Sequence, residues 1–321
     1  MNEKRQRLSI ITPAFNEEVN LSLLLDRLLS VLEPQGVEWE WIVVDDHSRD
    51  RTWEVLQQLA VREPRLKAIR LARNSGAHTA FACGLRNALG DCAVVLAADL
   101  QDPPETIPAL LEKWKQGAKI VWAVRAEREG VSVSTKGFSR LYYWLMRRFV
   151  GMEEMPASGA DFFLVDRRVM DVLNVFKESN VSLLALLTWM GFKQDRIFYV
   201  KQARQHGKSG WSVEKKLKLV VDSITAFTYK PIRLMSYVGF GVALLGFLYA
   251  MTVVIYRLFF HTQFPGYASL IVAILVIGGL QMIMMGILGE YIWRGFDEAR
   301  NRPRFIVEDE VGFQSKKGGS G

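Results

Sequence analysis

Leu21, Leu24, Leu25, Leu28, Leu29 and Leu32 fall on one face of a 3.6-residue helix, and the short apolar run at residues 8–12 before them reads as a strand. The same alternation continues down the chain. It predicts a strand at 39–44, a helix at 52–61, a strand at 66–71, a helix at 79–89 and a strand at 93–97. Pro103-Pro104 then opens another helix, and a strand at 119–123 follows. Strands alternating with helices at this spacing predict an α/β domain: a mostly parallel sheet with helices on both faces. Beyond residue 134 the pattern loosens. It still predicts an amphipathic helix at 138–149 and short strands at 161–166 and 197–201.

The last third changes character. Over residues 213–227, Val213, Leu217, Val220, Val221, Ile224 and Phe227 share a helical face, with Lys215, Lys216 and Lys218 nearer the other. Just before a membrane segment, this predicts an interfacial helix resting on the lipid surface, a core helix being the alternative. From Leu234 to Tyr256 there is no charged residue, and a second uncharged run ends at Gly289. Each is long enough to cross a hydrocarbon core of about 30 Å as a helix. A short loop containing Phe264, Pro265 and Gly266 joins them, so the expectation is a transmembrane hairpin with both ends on one side. Lys230 and Arg233 precede it, and Arg294, Arg300, Arg302 and Arg304 follow it, against Arg257 and His261 in the loop. The positive-inside rule then predicts a multi-pass protein of the inner membrane with both termini cytoplasmic.

Composition agrees with this segregation. A chain of 321 residues that is 50% hydrophobic yet 23% charged fits neither a wholly soluble nor a wholly embedded protein. The net charge of +7 beside membrane segments points to anionic lipid headgroups, and no nucleic-acid partner is expected. Residues 1–5 lack the apolar core of a signal peptide, and Lys316 to Gly321 reads as a flexible end. Cys83 and Cys92, the only cysteines, predict neither a disulfide nor a metal site. Gly278-Gly279 permits close helix packing, which leaves a homo-oligomer open without counting its subunits.

Polar clusters stand where the strands end: Asn16-Glu17, Asp45-Asp46, and Asp99 to Asp102. Ligands of parallel α/β sheets bind beyond the carboxyl ends of the strands, so these clusters outline a nucleotide-type site. A nucleoside diphosphate leaving group carries charge that Mg2+ or Mn2+ neutralises, through one or two carboxylates, phosphate oxygens and water. Asp99, Gln101 and Asp102 are of the right types for such an ion, although an Asp before Pro-Pro also caps a helix.

Three segments in order resemble the inverting family-2 glycosyltransferases with a GT-A (Rossmann-like) fold. They are Thr12-Pro13-Ala14-Phe15-Asn16-Glu17-Glu18, Val43-Val44-Asp45-Asp46-His47-Ser48 and Asp99-Leu100-Gln101-Asp102-Pro103-Pro104-Glu105. Later pieces are similar to one subgroup, the polyprenyl-phosphate glycosyltransferases: Gly159-Ala160-Asp161-Phe162-Phe163, Arg204-Gln205-His206-Gly207-Lys208-Ser209, and Gly286 to Tyr291 with Asn301-Arg302-Pro303. The two-span tail most resembles the bactoprenol glucosyltransferases, with dolichol-phosphate mannose synthases and aminoarabinose transferases in the same subgroup. The resemblance implies four regions: a cytoplasmic GT-A catalytic domain over 1–210, an interfacial helix over 211–232, two spans within 233–293 (234–257 and 267–289), and a cytoplasmic tail over 294–321. It implies that Pro13, Phe15, Glu17, Asp46 and Ser48 form the base and ribose pocket. Asp99 and Gln101 would hold metal and diphosphate, and Asp161 would be the catalytic carboxylate. Arg125, Arg128, Arg204 and Lys208 would bind the acceptor phosphate.

The chain departs from that pattern at Ala97, where many relatives carry an acid, at Phe163, where many carry Arg, and at Gly210, where Lys is common. Asp102 or Asp46 is then expected to supply the missing metal oxygen, unless phosphate and water do. The implied reaction moves a sugar, glucose by the closest resemblance, from a UDP-sugar to undecaprenyl or another polyprenyl phosphate. N-acetylglucosamine and aminoarabinose-type donors, a glycan acceptor, and a non-enzymatic lipid-carrier scaffold are the rival readings.

Overall fold

The computed structural model describes residues 6–126, 162–176, 183–202, 228, 230–260 and 266–313. The expected helices at 138–149 and 213–227, and the candidate site residues Arg128, Asp161, Arg204 and Lys208, lie outside these residues. The chain divides into two compact units, Met1–Val220 with Pro303–Gly321, and Val221–Arg302.

The first unit is built on strands β1 (Arg7–Ala14), β2 (Glu38–Asp45), β3 (Leu66–Leu71), β4 (Cys92–Val95), β5 (Ile120–Arg125), β6 (Phe163–Asp166), β7 (Gln194–Tyr199) and β8 (Val307–Val311). They form one sheet in the order β7-β5-β6-β4-β1-β2-β3-β8. β1 pairs in parallel with both β2 and β4, β2 with β3, and β5 with β7; β6 and β8 run antiparallel to their neighbours. The sheet is therefore mostly parallel but mixed, as a GT-A domain requires. Helices α1 (Asn20–Leu32), α2 (Thr52–Arg62), α3 (Ala77–Asn87) and α4 (Ile107–Lys115) follow β1 to β4 in turn. The prolines at 103–104 open a single 3-10 turn, Pro104–Thr106, before α4 begins.

The apolar stripe read from the leucines is the buried face of α1: Leu21, Leu24, Leu28 and Leu32 are fully buried beside Leu8, Ile10 and Trp41. A buried indole needs a partner, and Trp41 Nε1 donates to Thr12 Oγ1 at 2.9 Å. Cys83 and Cys92 are free and buried. After β6 come two short helices that the sequence pattern does not single out, α5 (Arg167–Val175) and α6 (Leu183–Trp189). α5 is capped by Asp166, whose carboxylate accepts from Arg168 N–H at 3.0 Å.

The second unit holds α7 (Lys230–Phe260, 31 residues) and α8 (Tyr267–Ala299, 33 residues). At 1.5 Å per residue each helix is about 45–50 Å long, more than the hydrocarbon core of a bilayer. Two stretches, Ile232–Tyr256 and Val276–Ala299, are long and apolar enough to cross a membrane, and neither is buried by protein. α8 continues past Gly289, where the uncharged run ends. Arg294 pairs with Glu290 one turn earlier at 2.8 Å, which carries the helix through its first charges. Beyond α8, residues 307–311 form β8 of the first unit.

Candidate active site

Three loops leave the carboxyl ends of the adjacent parallel strands β1, β2 and β4. Each carries a non-glycine residue in the left-handed region: Asn16 at φ 58°, His47 at 60° and Leu100 at 58°. Such a conformation costs an L-residue roughly 1–2 kcal/mol, so surrounding contacts must hold it. Around Asn16 and His47 those contacts are reciprocal. Ser48 Oγ accepts from Asn16 N–H at 2.9 Å, while Asn16 Oδ1 accepts from Arg49 N–H at 2.9 Å. Thr52 Oγ1 accepts from Glu17 N–H at 2.8 Å, and Glu18 accepts from Arg51 N–H at 3.0 Å. The first two motif segments are thus laced into one surface. On it the Phe15 ring is 42% exposed, with Pro13 and Glu17 half-buried beside it. An exposed, anchored aromatic ring at a strand end is suited to stacking on a base.

Asp45 and Asp46 lie beneath that surface, both buried. Asp45 Oδ1 accepts from Ser48 N–H at 3.0 Å, while its Oδ2 has no hydrogen-bond partner and faces Arg70 Nη1 at 3.8 Å. Asp46 accepts from Ser75 N–H at 2.7 Å with one oxygen and from Gly76 N–H at 2.8 Å with the other. Gly76, at φ 89°, is the residue that caps α3. Asp46 therefore clamps the β3–α3 loop to the pocket wall. Burial pushes both carboxyls above their ordinary range, outweighing the lowering by these N–H groups.

The third loop holds Asp99, 7% exposed, and Asp102, 1% exposed, with Gln101 half-buried between them. Asp99 Oδ1 accepts from Gln101 N–H at 3.2 Å, a local turn around Leu100. The Gln101 carbonyl accepts from Gln202 N–H at 2.9 Å, tying the loop to the residues after β7. Asp102 Oδ1 accepts from the Tyr199 hydroxyl and lies 3.5 Å from Lys201 Nζ, leaving Oδ2 buried without a hydrogen-bond partner. Arg125 stands opposite Tyr199 in the β5–β7 register, and its charge opposes the rise in that phenol's pKa. Burial first, then the Asp102 charge, pushes the Tyr199 phenol well up, so it stays a donor at neutral pH.

Among the described residues no three His, Cys, Asp or Glu side chains form a metal cluster. The donor set still fits a cation that relies on phosphate and water for most of its shell. Asp99 is nearly buried at the loop, and the orphan Oδ2 of Asp102 is an oxygen that a cation or its water would satisfy. Asp46 fits less well as the substitute for Ala97, since both its oxygens already accept backbone N–H groups.

The fold thus brings Pro13, Phe15, Glu17, Asp46 and Ser48 together, and Asp99, Gln101 and Asp102 together with Arg125. Tyr199 and Lys201 contact Asp102, and Arg70 faces Asp45; the sequence pattern singles out none of the three. Their link to the acid loops runs between residues up to 97 apart, as for Tyr199 and Asp102. The only local signal was position: Arg70, Tyr199 and Lys201 all fall at the carboxyl ends of strands.

Two known families match the chain. "Glycosyl transferase family 2" matches residues 9–173, and "GtrB C-terminal hairpin" matches residues 230–294. An uncharacterized glycosyltransferase of Bacillus subtilis (strain 168) is 38% identical over 96% of this chain and 95% of its own. A bactoprenol glucosyl transferase of Shigella phage SfV is 34% identical over 95% of this chain and 99% of its own. An undecaprenyl-phosphate 4-deoxy-4-formamido-L-arabinose transferase of Pseudomonas aeruginosa (strain LESB58) is 35% identical over 95% and 90%.

Proposed function

The chain belongs to glycosyltransferase family 2, and from that premise we propose that it transfers glucose from a UDP-sugar to undecaprenyl or a related polyprenyl phosphate at the cytoplasmic leaflet. The observation that carries this reading is the meeting of acid-bearing loops at the carboxyl edge of β1, β2 and β4, in a chain that also holds two uncovered apolar helices. Relatives named for bactoprenol and for undecaprenyl phosphate support the lipid acceptor. The arabinose-type relative is as similar as the glucosyl one, so a different UDP-sugar is the second reading.

In the proposed reaction an acceptor phosphate oxygen attacks the anomeric carbon in line. A new C–O bond forms as the bond to the nucleoside diphosphate breaks, and the electron pair leaves with the diphosphate, inverting the centre. A phosphate monoester is largely dianionic at neutral pH, so it needs little general-base help. Asp161 would orient the acceptor, with Arg125, Arg128, Arg204 and Lys208 holding its phosphate. Phe15 and Pro13 would carry the base, with Glu17, Asp46 and Ser48 shaping the ribose side. Asp99, Gln101 and the free oxygen of Asp102 would hold Mg2+ or Mn2+, which when bound supplies positive charge to the departing diphosphate. Tyr199 and Lys201 hold one oxygen of Asp102 and leave the other without a hydrogen-bond partner. Both ends of the hairpin would lie in the cytoplasm, placing the acceptor headgroup within reach.

The test is a donor screen. The purified full chain is incubated with Mn2+, undecaprenyl phosphate and each of several labelled UDP-sugars, and the product is extracted into organic solvent. The proposal expects a mild-acid-labile glucolipid. Label recovered only in a glycan, or only in water with every donor, overturns it.

A further inference from the structure

β8 lies beyond both family matches, which end at residues 173 and 294. It is nevertheless knitted tightly onto the donor side of the sheet. Ala72 N–H donates to the Ile306 carbonyl at 2.9 Å where the strand arrives. Where it leaves, Gly312 has φ +81°, and a Cβ there would stand 2.4 Å from the Leu66 carbonyl oxygen. Between these points the antiparallel register breaks. Val311 faces Ala68, Glu310 faces Ile69 and Asp309 faces Arg70, but the next partner of β3 is Val307 opposite Leu71. Glu308 is the extra residue of a β-bulge, a device that re-aims a side chain out of the strand's alternation.

The re-aimed carboxylate meets the loop after β2. Glu308 accepts from Arg70 Nε at 3.0 Å and lies 3.4 Å from His47 Nδ1. His47 Nδ1 also lies 3.0 Å from the Leu71 carbonyl; with two acceptors facing it, this nitrogen carries the proton. Arg70 continues inward, donating to the Ser48 carbonyl at 3.4 Å and standing 3.8 Å from buried Asp45. His47 is the left-handed residue of this loop, and Ser48 is the link to Asn16. One exposed carboxylate therefore bears on His47 directly and, through Arg70, on the Ser48 carbonyl, the two residues that follow Asp46.

We propose that Glu308, on the strand that returns from the hairpin, is a positioning residue for the donor nucleotide. Acting through Arg70 and His47, it holds the β2–α2 loop in its nucleotide-ready conformation. This rests on the reading of that loop, with Phe15, as the nucleotide pocket. Glu308 does not touch the donor, so its loss should weaken nucleotide binding while leaving the transfer step of bound donor nearly intact.

The test titrates UDP with Mn2+ into the detergent-solubilised full chain and measures KM and kcat for the donor. Glu308→Ala is expected to raise the UDP Kd and the donor KM by about fivefold, the scale of one half-exposed charged contact, with kcat changed less than twofold. Glu308→Gln, which keeps an acceptor for Arg70, should recover part of the loss. Glu310→Ala, one position past the neighbouring acid on the same strand, should bind UDP as the unaltered protein does. Phe15→Ala separates the two readings. If it abolishes UDP binding while Glu308→Ala leaves Kd and KM within twofold of the unaltered protein, the positioning role is wrong and the pocket stands. If Phe15→Ala binds UDP normally, the pocket and the positioning role fall together. A fall in kcat and thermal stability at unchanged KM also overturns the proposal, since it marks Glu308 as a structural staple.

Discussion

At the amino edge of the sheet, Glu40 accepts from Ser9 Oγ at 2.6 Å, Lys67 Nζ at 2.7 Å, Leu89 N–H at 2.7 Å and Arg7 at 3.2 Å. At the carboxyl edge, 1 strand-length away on the same β2, Asp45 keeps one oxygen with no hydrogen-bond partner. Asp166, also at the amino edge, accepts from Trp114 Nε1, Lys119 Nζ and Arg168 N–H. Asp102, at the carboxyl edge, again keeps one oxygen without a partner. Burial alone would raise Glu40, Asp166, Asp45 and Asp46. At the amino edge, bonds from Lys67, Ser9 and Leu89 outweigh it for Glu40, and those from Lys119, Trp114 and Arg168 do so for Asp166, so both carboxyls are lowered. At the carboxyl edge burial wins, and Asp45 and Asp46 are raised. The fully partnered acids at the amino edge staple the sheet, whereas the unpartnered oxygens of Asp45 and Asp102 are what a fold retains for a ligand, at some expense in stability.

The largest effect that would break this contrast concerns Asp99. Asp99→Ala should cost about 100-fold or more in transfer rate, the scale of losing one preorganised electrostatic group, with the melting temperature nearly unchanged. Rate assays beside thermal unfolding check it. The amino edge should show the reverse. Glu40→Ala strands Lys67, Arg7, Ser9 and Leu89 N–H, and should destabilise by about 3 kcal/mol while the folded fraction keeps its donor KM. Denaturant unfolding measures the loss, and a parallel loss of donor binding would erase the distinction between the edges.

How far the sequence carried depended on the range of the interactions. β3 was read to the residue, and β2 and α1 nearly so, because apolar periodicity is local. β8 was not legible: Val-Glu-Asp-Glu-Val shows no buried stripe and is a strand only because β3 offers it an edge. The acid loops were recognised from their residues, yet the clamp of Asp46 on Ser75 and Gly76 was not. Nor was the bond of Tyr199 to Asp102. Both join segments far apart in the chain, which a local pattern cannot encode.

The smallest effect is a difference in pH dependence. Glu40 has a lowered folded pKa, so its contribution is present above the ordinary carboxylate value and is lost as pH falls through the folded one. Asp45 has a raised folded pKa, so it penalises the fold only as pH rises towards and past that value. Asp45→Asn should therefore match the unaltered protein's stability in acid and exceed it at neutral pH by less than about 1 kcal/mol. Unfolding curves across that range, compared for the two proteins, check the sign.

Phase partition separates a carboxyl edge that transfers sugar to a lipid phosphate from an amino edge that only holds the sheet. Full-length protein, its Asp99→Ala form and its Glu40→Gln form are each mixed with labelled UDP-glucose, Mn2+ and undecaprenyl phosphate, and label is counted in the organic phase. Organic label is expected from the unaltered and Glu40→Gln proteins and almost none from Asp99→Ala. Equal organic label from the Asp99→Ala protein, or its loss from Glu40→Gln while that protein remains folded, would contradict it.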